Sequence, residues 1–283
     1  MIPAAFRYER PATIAQALRH LAEPEAKALA GGQSLLPLLR LRMAEPGLLV
    51  DIQDIAELAG IRSGAQEMTL GALVRHVELA TSGPWRVLRE AAEATGDRQV
   101  RRLGTIGGAV AHADPAGDLP AALLALGAVV EIIGPGGRRE VPIGEFFLGP
   151  LMTVLGPDEL VTALRLPLPG SGSGSSYRKL RQAASGFALV GVGAMVRLEA
   201  GRCVDAGIGV TGVGLAPYAA EAACEKLIGT ALSAADVDSA LETILEGADV
   251  QDDPYASREY RGKMCRVLAA EAIAGARAEA QGE

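Results

Sequence analysis

In residues 11–22, PATIAQALRHLA, the apolar Ile14, Leu18 and Leu21 fall on one face behind Pro11 and Thr13, a spacing that predicts a helix. KALA at 27–30 predicts a short buried strand that runs straight into Gly31-Gly32. SLLPLLRLRM at 34–43 predicts a helix capped by Ser34, with Pro37 in the first turn, where its missing N–H costs little. LLVDI at 48–52 predicts another strand. The opening therefore reads strand, glycine turn, helix, strand: a small βαβ-like unit.

Short strands follow across 60–80, then a helix over 84–95 beginning at Pro84. DLPAALLALG at 118–127 predicts a helix ending at Gly127. Residues 128–143 predict a hairpin (AVVEII, turn GPGG, RREVPI), and ELVTALRL at 159–166 predicts one more strand. PLPGSGSGSS at 167–176 combines prolines with a Gly/Ser run and reads as a linker. Beyond it, 187–198 and 203–213 predict paired strands, and 216–228, 233–246 and 257–278 predict helices, with Gly229 and Gly247 where C-caps belong. The expected class is α+β. Residues 1–170 form one domain with subdomains 1–55 and 56–170, 171–176 form the linker, and 177–283 form a small antiparallel sheet with three helices. There is no internal repeat.

A chain of 283 residues buries roughly 75% of its unfolded surface and needs no disulfide or metal staple. The net charge of −7 argues against a nucleic-acid surface. The longest uncharged stretches, 182–196 and 206–220, are shorter than the roughly 20 residues of a bilayer span. MIPAAFRYER places a charged pair where the apolar core of a signal peptide would begin, so the expected address is cytoplasmic. Cys203, Cys224 and Cys265 form no CxxC, and His20, His76 and His112 form no metal-binding spacing. Three thiols cannot supply the usual four ligands of an iron–sulfur cluster. Redox chemistry here would need a cofactor held without such ligands.

Glycine is the compositional oddity, at 35 residues, and it clusters in doublets. AGGQS at 30–34 lies between a predicted strand and a predicted helix. Gly31 and Gly32 allow close approach to the main chain, and the amides of Gln33, Ser34 and Leu35 would face outward, which suits a pyrophosphate. Alone, the motif is most simply a tight strand-to-helix turn with a serine cap. TIGGAVAHADPAGD at 105–118 is the second glycine turn. It supplies the Thr105 hydroxyl, Gly107-Gly108, and the carboxylates of Asp114 and Asp118. Asp118 alone is most simply an N-cap, and Asp114-Pro115 a turn. Neither motif is a GxGxxG in a Rossmann setting or a GxxxxGK[ST] loop. Together, two such loops could grip one dinucleotide.

AGGQSLLPLLRLRM with LVDI, and GTIGGAVAHADPAGDLPAALLALGA at 104–128, closely resemble the FAD-binding medium subunit of molybdenum hydroxylases, the carbon monoxide dehydrogenase / xanthine dehydrogenase family. PAAFRYERP near the start, FFLGPLMTVLGPDELVTALRLP at 146–167 and SGFALVGVGA at 185–194 extend the resemblance over essentially the whole chain. It implies a two-lobed flavin-binding domain of the vanillyl-alcohol-oxidase type followed by a C-terminal sheet-and-helix domain. It gives the FAD pyrophosphate to Gly31, Gly32, Gln33 and Ser34, with Leu35 beside them, and completes the clamp with Thr105, Gly107 and Gly108. It implies that Asp118 bonds polar flavin or ribityl atoms and that His112 and Asp114 line the cofactor. It further places Leu155 against the cofactor rings and Phe187 near the isoalloxazine. Two positions depart from the family: Ala109 stands where a polar residue, often Asn, is usual, and Arg98 where Pro is common.

The resemblance implies a division of labour. A large subunit with a molybdenum cofactor oxidises the substrate, and a small subunit relays electrons through two iron–sulfur clusters. This chain would pass them through FAD to an external acceptor, in a heterotrimer or a dimer of heterotrimers. No acid, base, nucleophile or metal ligand is expected here. The alternatives are a self-sufficient flavin oxidoreductase and a scaffold subunit whose flavin site has decayed, the latter resting on Ala109.

Overall fold

Three sheets sort the buried apolar positions into three cores. The structure, a computed structural model, describes residues 2–282. The first sheet is wholly parallel, with strand Leu48–Asp51 between Arg7–Glu9 and Ala26–Leu29. Helix Leu35–Leu41 is the crossover from Ala26–Leu29 to Leu48–Asp51, so the βαβ unit forms as its pattern predicts. Helix Ile14–Leu21 starts where Thr13 accepts a hydrogen bond from the Gln16 amide, and it buries Ile14, Ala17 and Leu21. The expected cap by Ser34 does not form. Its side chain makes no capping bond, and Gly32, at φ +72°, sets the turn instead. Strand Arg7–Glu9 is exposed throughout, so no hydrophobic pattern announces it.

The second sheet has five antiparallel strands in the order Ile61–Ser63, Glu67–Gly71, Leu160–Pro167, Val129–Gly134, Gly137–Pro142. Helices Arg86–Ala94 and Asp118–Ala125 contribute to its core beside Leu70, Val130, Ile132 and Leu164. Helices His76–Ser82, Arg98–Leu103 and Ile106–His112 connect them, and each is too short for periodicity to mark. A small hairpin, Phe147–Gly149 with Met152–Thr153, stands apart.

The third sheet joins Ser173–Arg181, Ala188–Glu199, Arg202–Thr211 and Tyr218–Ala219, all antiparallel. Helices Glu221–Leu227, Ala234–Leu241 and Arg258–Gln281 complete its core. Two expectations are corrected here. The helix near 216–228 begins only at Glu221, because Tyr218–Ala219 is an edge strand. The linker at 171–176 is largely the start of strand Ser173–Arg181, with Ser175 and Ser176 fully buried. Its small residues answer to packing. A Cβ on Gly174 would stand 2.0 Å from the Ala276 carbonyl, so the long C-terminal helix rests directly on this backbone.

Helix Asp118–Ala125 is buried along its whole length and bridges the second and third sheets. A helix apolar on all sides needs cover on all sides, and the third sheet supplies it. The junction is also tied by polar groups: the Val87 amide donates to Ser175 Oγ at 3.1 Å, and the Tyr177 amide to Glu90 Oε2 at 2.6 Å. Among the described residues the three cysteines are free, there is no acidic, His or Cys cluster suited to a metal, and no helix is long and apolar enough to cross a membrane.

Candidate functional site

The two glycine turns, with their doublets 76 residues apart in sequence, meet at one place. A Cβ on Gly31 would lie 2.0 Å from the Leu103 carbonyl oxygen, and Gly108 faces the Ala30 methyl. The turns differ in what they offer. Among the described residues, the amides of Gly32, Gln33, Ser34 and Leu35 donate to no acceptor. Gln33 folds back, its Nε2 donating to the Gly31 carbonyl at 3.0 Å. Successive open N–H groups beside a glycine at positive φ form a concavity suited to an anion.

The second turn is already satisfied. Ile106–His112 is a helix, and its first amides are engaged: Gly107 N–H donates to the Ala72 carbonyl at 2.9 Å and Gly108 N–H to Thr105 Oγ1 at 3.2 Å. Thr105 is the N-cap, and Gly107 is small because Ala72 lies against it, 2.5 Å from where a Cβ would be. The doublet thus serves packing. Its amides already have protein partners, and the turn it shapes flanks the first loop.

Loop 113–118 turns toward the third sheet. Asp114 Oδ1 accepts from the Ala116 amide at 2.8 Å, the turn expected of Asp-Pro. The Pro115 carbonyl accepts from Thr211 Oγ1 and the Gly212 amide, both at 2.7 Å, and the Ala116 carbonyl from the Ala188 amide at 3.4 Å. Pro115 and Ala116 form one wall of a cleft of about 400 Å³. Phe187, Gln182, Tyr255 and Arg261 line the rest. Phe187 is 49% exposed and so is a surface group facing the cleft, not core. Arg261 braces the cleft, donating to the carbonyls of Leu189 and Gly212 and to Asp253.

Asp118 is neither a cap nor an open ligand. Gly117 is the N-cap, and Asp118 is 5% exposed with Oδ1 accepting from Tyr177 Oη at 2.7 Å and Oδ2 from Lys179 Nζ at 2.8 Å. Burial raises its pKa, opposed by the Lys179 charge beside it. His112 is half-buried, and burial lowers its pKa against the pull of Asp114, with the Lys27 charge adding to the lowering. The Leu151 amide donates to the Ala113 carbonyl at 3.1 Å, which fixes the 147–153 hairpin beside this loop. Leu155 follows that hairpin, half-buried against the second sheet's core. Pattern reading missed Tyr177 and Lys179. In SGSSYRKLR they share a strand face with Ser175, and a lysine at an inward position was the available signal.

Residues 4–169 match the family described as FAD binding domain in molybdopterin dehydrogenase, and 175–276 that described as CO dehydrogenase flavoprotein C-terminal domain. The chain is 37% identical to the carbon monoxide dehydrogenase medium chain of Afipia carboxidovorans, covering 99% of this chain and 100% of that one. It is 36% identical to 6-hydroxypseudooxynicotine dehydrogenase complex subunit alpha of Paenarthrobacter nicotinovorans, covering 98% and 96%. The crystal structure of the cyanide-inactivated Cu,Mo-CO dehydrogenase superposes with a TM-score of 0.94 at 37% identity over 98% of this chain and 99% of that one. The four open amides at Gly32–Leu35 fit a diphosphate, as an FAD-binding chain requires. With both matches and full-length relatives in agreement, this chain belongs to the FAD-binding medium subunits of the molybdenum hydroxylases.

Proposed function

We propose that this chain is the electron-transfer subunit of a three-component molybdenum hydroxylase. It takes electrons from a small iron–sulfur partner and passes them through FAD to an external acceptor, while a large molybdenum subunit oxidises the substrate. FAD, when bound, supplies the exchange between one-electron delivery and two-electron release. The chain binds and orients it. The amides of Gly32 to Leu35 hold the diphosphate, and the contact of Gly31 with Leu103 keeps the second turn alongside. Thr105 caps that turn, and loop 113–118 faces the cleft beside Phe187, which receives the ring end. His112, neutral at physiological pH because burial opposes its charge, lines the loop as a hydrogen-bonding group, and Leu155 adds an apolar contact. Asp118 holds the loop from the buried side. No acid, base or nucleophile is assigned.

The domain boundary falls near residue 170, the assembly is a heterotrimer or its dimer, and the compartment is the cytoplasm. The open amide run at Gly32–Leu35 carries this reading. Co-expression with the neighbouring reading frames tests it. A yellow complex containing this chain, two further subunits, iron and molybdenum is expected. A colourless chain that no added FAD turns yellow would sink the reading in favour of a scaffold.

A further inference from the structure

Lys179 is a buried cation that this reading leaves without a task. Its side chain is 6% exposed, and Nζ donates to Asp118 Oδ2 at 2.8 Å and to the Ala94 carbonyl at 3.0 Å. Tyr177, two residues earlier on the same strand, donates its hydroxyl to the other Asp118 oxygen. Burying such a pair is expensive, and apolar residues would often fill the space at no loss of stability. What the pair holds is specific: Asp118 ends the loop that begins at Ala113 and walls the cleft. The same sheet holds the loop's middle through Thr211, Gly212 and Ala188. Both the middle and the end of the loop are thus pinned from the third sheet.

We infer that Lys179 and Tyr177 are positioning residues which, through Asp118, fix the shape of loop 113–118 and thereby set how tightly and in what orientation FAD is held. The inference rests on the FAD reading above. The C-terminal sheet acts on the cofactor here through the loop, with no contact between Lys179 and the cofactor required.

The test titrates FAD into the apo-protein, reading the dissociation constant by flavin fluorescence and the orientation by visible circular dichroism of the bound flavin. Lys179→Met is expected to weaken binding roughly tenfold or more and to alter the dichroism, because it leaves Asp118 buried without its cation. Lys179→Arg keeps the charge and should recover most of both, and Tyr177→Phe should fall between. Ser175→Ala is the control: it orphans the Val87 amide at the same junction, lowering the melting temperature without touching the loop. Wild-type affinity and dichroism in Lys179→Met would overturn the inference. So would affinity losses in Lys179→Met and Ser175→Ala that merely track their losses of melting temperature. Should Lys179→Met fail to fold, wild-type affinity and dichroism in Tyr177→Phe, which removes the other bond to Asp118, overturn it. Failure of the wild-type chain to bind FAD at all marks the failure of the FAD reading itself, and the inference falls with it.

Discussion

Gly31 packs its Cα against the Leu103 carbonyl, leaving only 2.0 Å between that oxygen and the position a Cβ would take. This contact joins a strand-to-helix turn in the first sheet's lobe to the turn that opens helix Ile106–His112. Both neighbours are backbone, so neither can swing aside. Gly31→Ala is therefore expected to part the two turns and to cost most of the bound FAD, measured as flavin per polypeptide after purification. Gly144→Ala, where nothing lies within 4 Å, should keep its flavin and serves as the comparison. A fully yellow Gly31→Ala protein would show that the two turns do not act together.

The unit around Gly31 was legible because its parts are local: a strand, a glycine doublet and a periodic helix within 25 residues. The partner turn was legible as a motif but not as a mechanism. That Gly107 yields to Ala72, and gives its N–H to the Ala72 carbonyl, depends on the turn after strand Glu67–Gly71, more than 30 residues away. Asp118 was misplaced for a similar reason. A carboxylate at a helix start looks like a cap until Tyr177 and Lys179 arrive from the other domain, and no local pattern reports their arrival.

Ala109 stands where the family resemblance implies a polar residue, often Asn, at a half-buried position in the helix that the second turn opens. A single hydrogen bond contributes about 0.5–1.5 kcal/mol, so Ala109→Asn is expected to tighten FAD binding by about three- to tenfold. Titration of apo-protein with FAD measures it. An unchanged or weaker affinity would mean that the present site is complete without that bond.

Two histidines give the fold a pH dependence of definite sign. Burial lowers the pKa of His76, outweighing a contact from the Thr105 backbone, and burial likewise lowers that of His112. A histidine whose folded pKa lies below its unfolded value of about 6.5 binds protons more readily when unfolded. Its contribution is fully present above about pH 6.5 and is lost as pH falls through the folded value. The melting temperature should therefore decline between pH 7 and pH 5, and His76→Gln should flatten part of that decline. If the slope is identical in the variant, His76 does not carry its share.

Gly174 separates a packed strand from a flexible connector. A Cβ there would stand 2.0 Å from the Ala276 carbonyl and 2.4 Å from the Ala280 amide nitrogen, both in the backbone of helix Arg258–Gln281. A flexible Gly/Ser tether would accept valine within about 0.5 kcal/mol, as exposed sites generally do. Forced against a helix backbone, the same valine must lift 24 residues of helix off the sheet or distort the strand. Overpacking of this kind costs about 3 kcal/mol or more where nothing can yield. Gly174→Val is accordingly expected to lower the urea midpoint sharply, followed by far-ultraviolet dichroism. Gly170→Val provides the contrast: its nearest neighbour is the Ser173 hydroxyl at 3.7 Å, an ordinary contact, so its midpoint should barely move. Equal midpoints for the two variants would return 173–176 to the status of a linker.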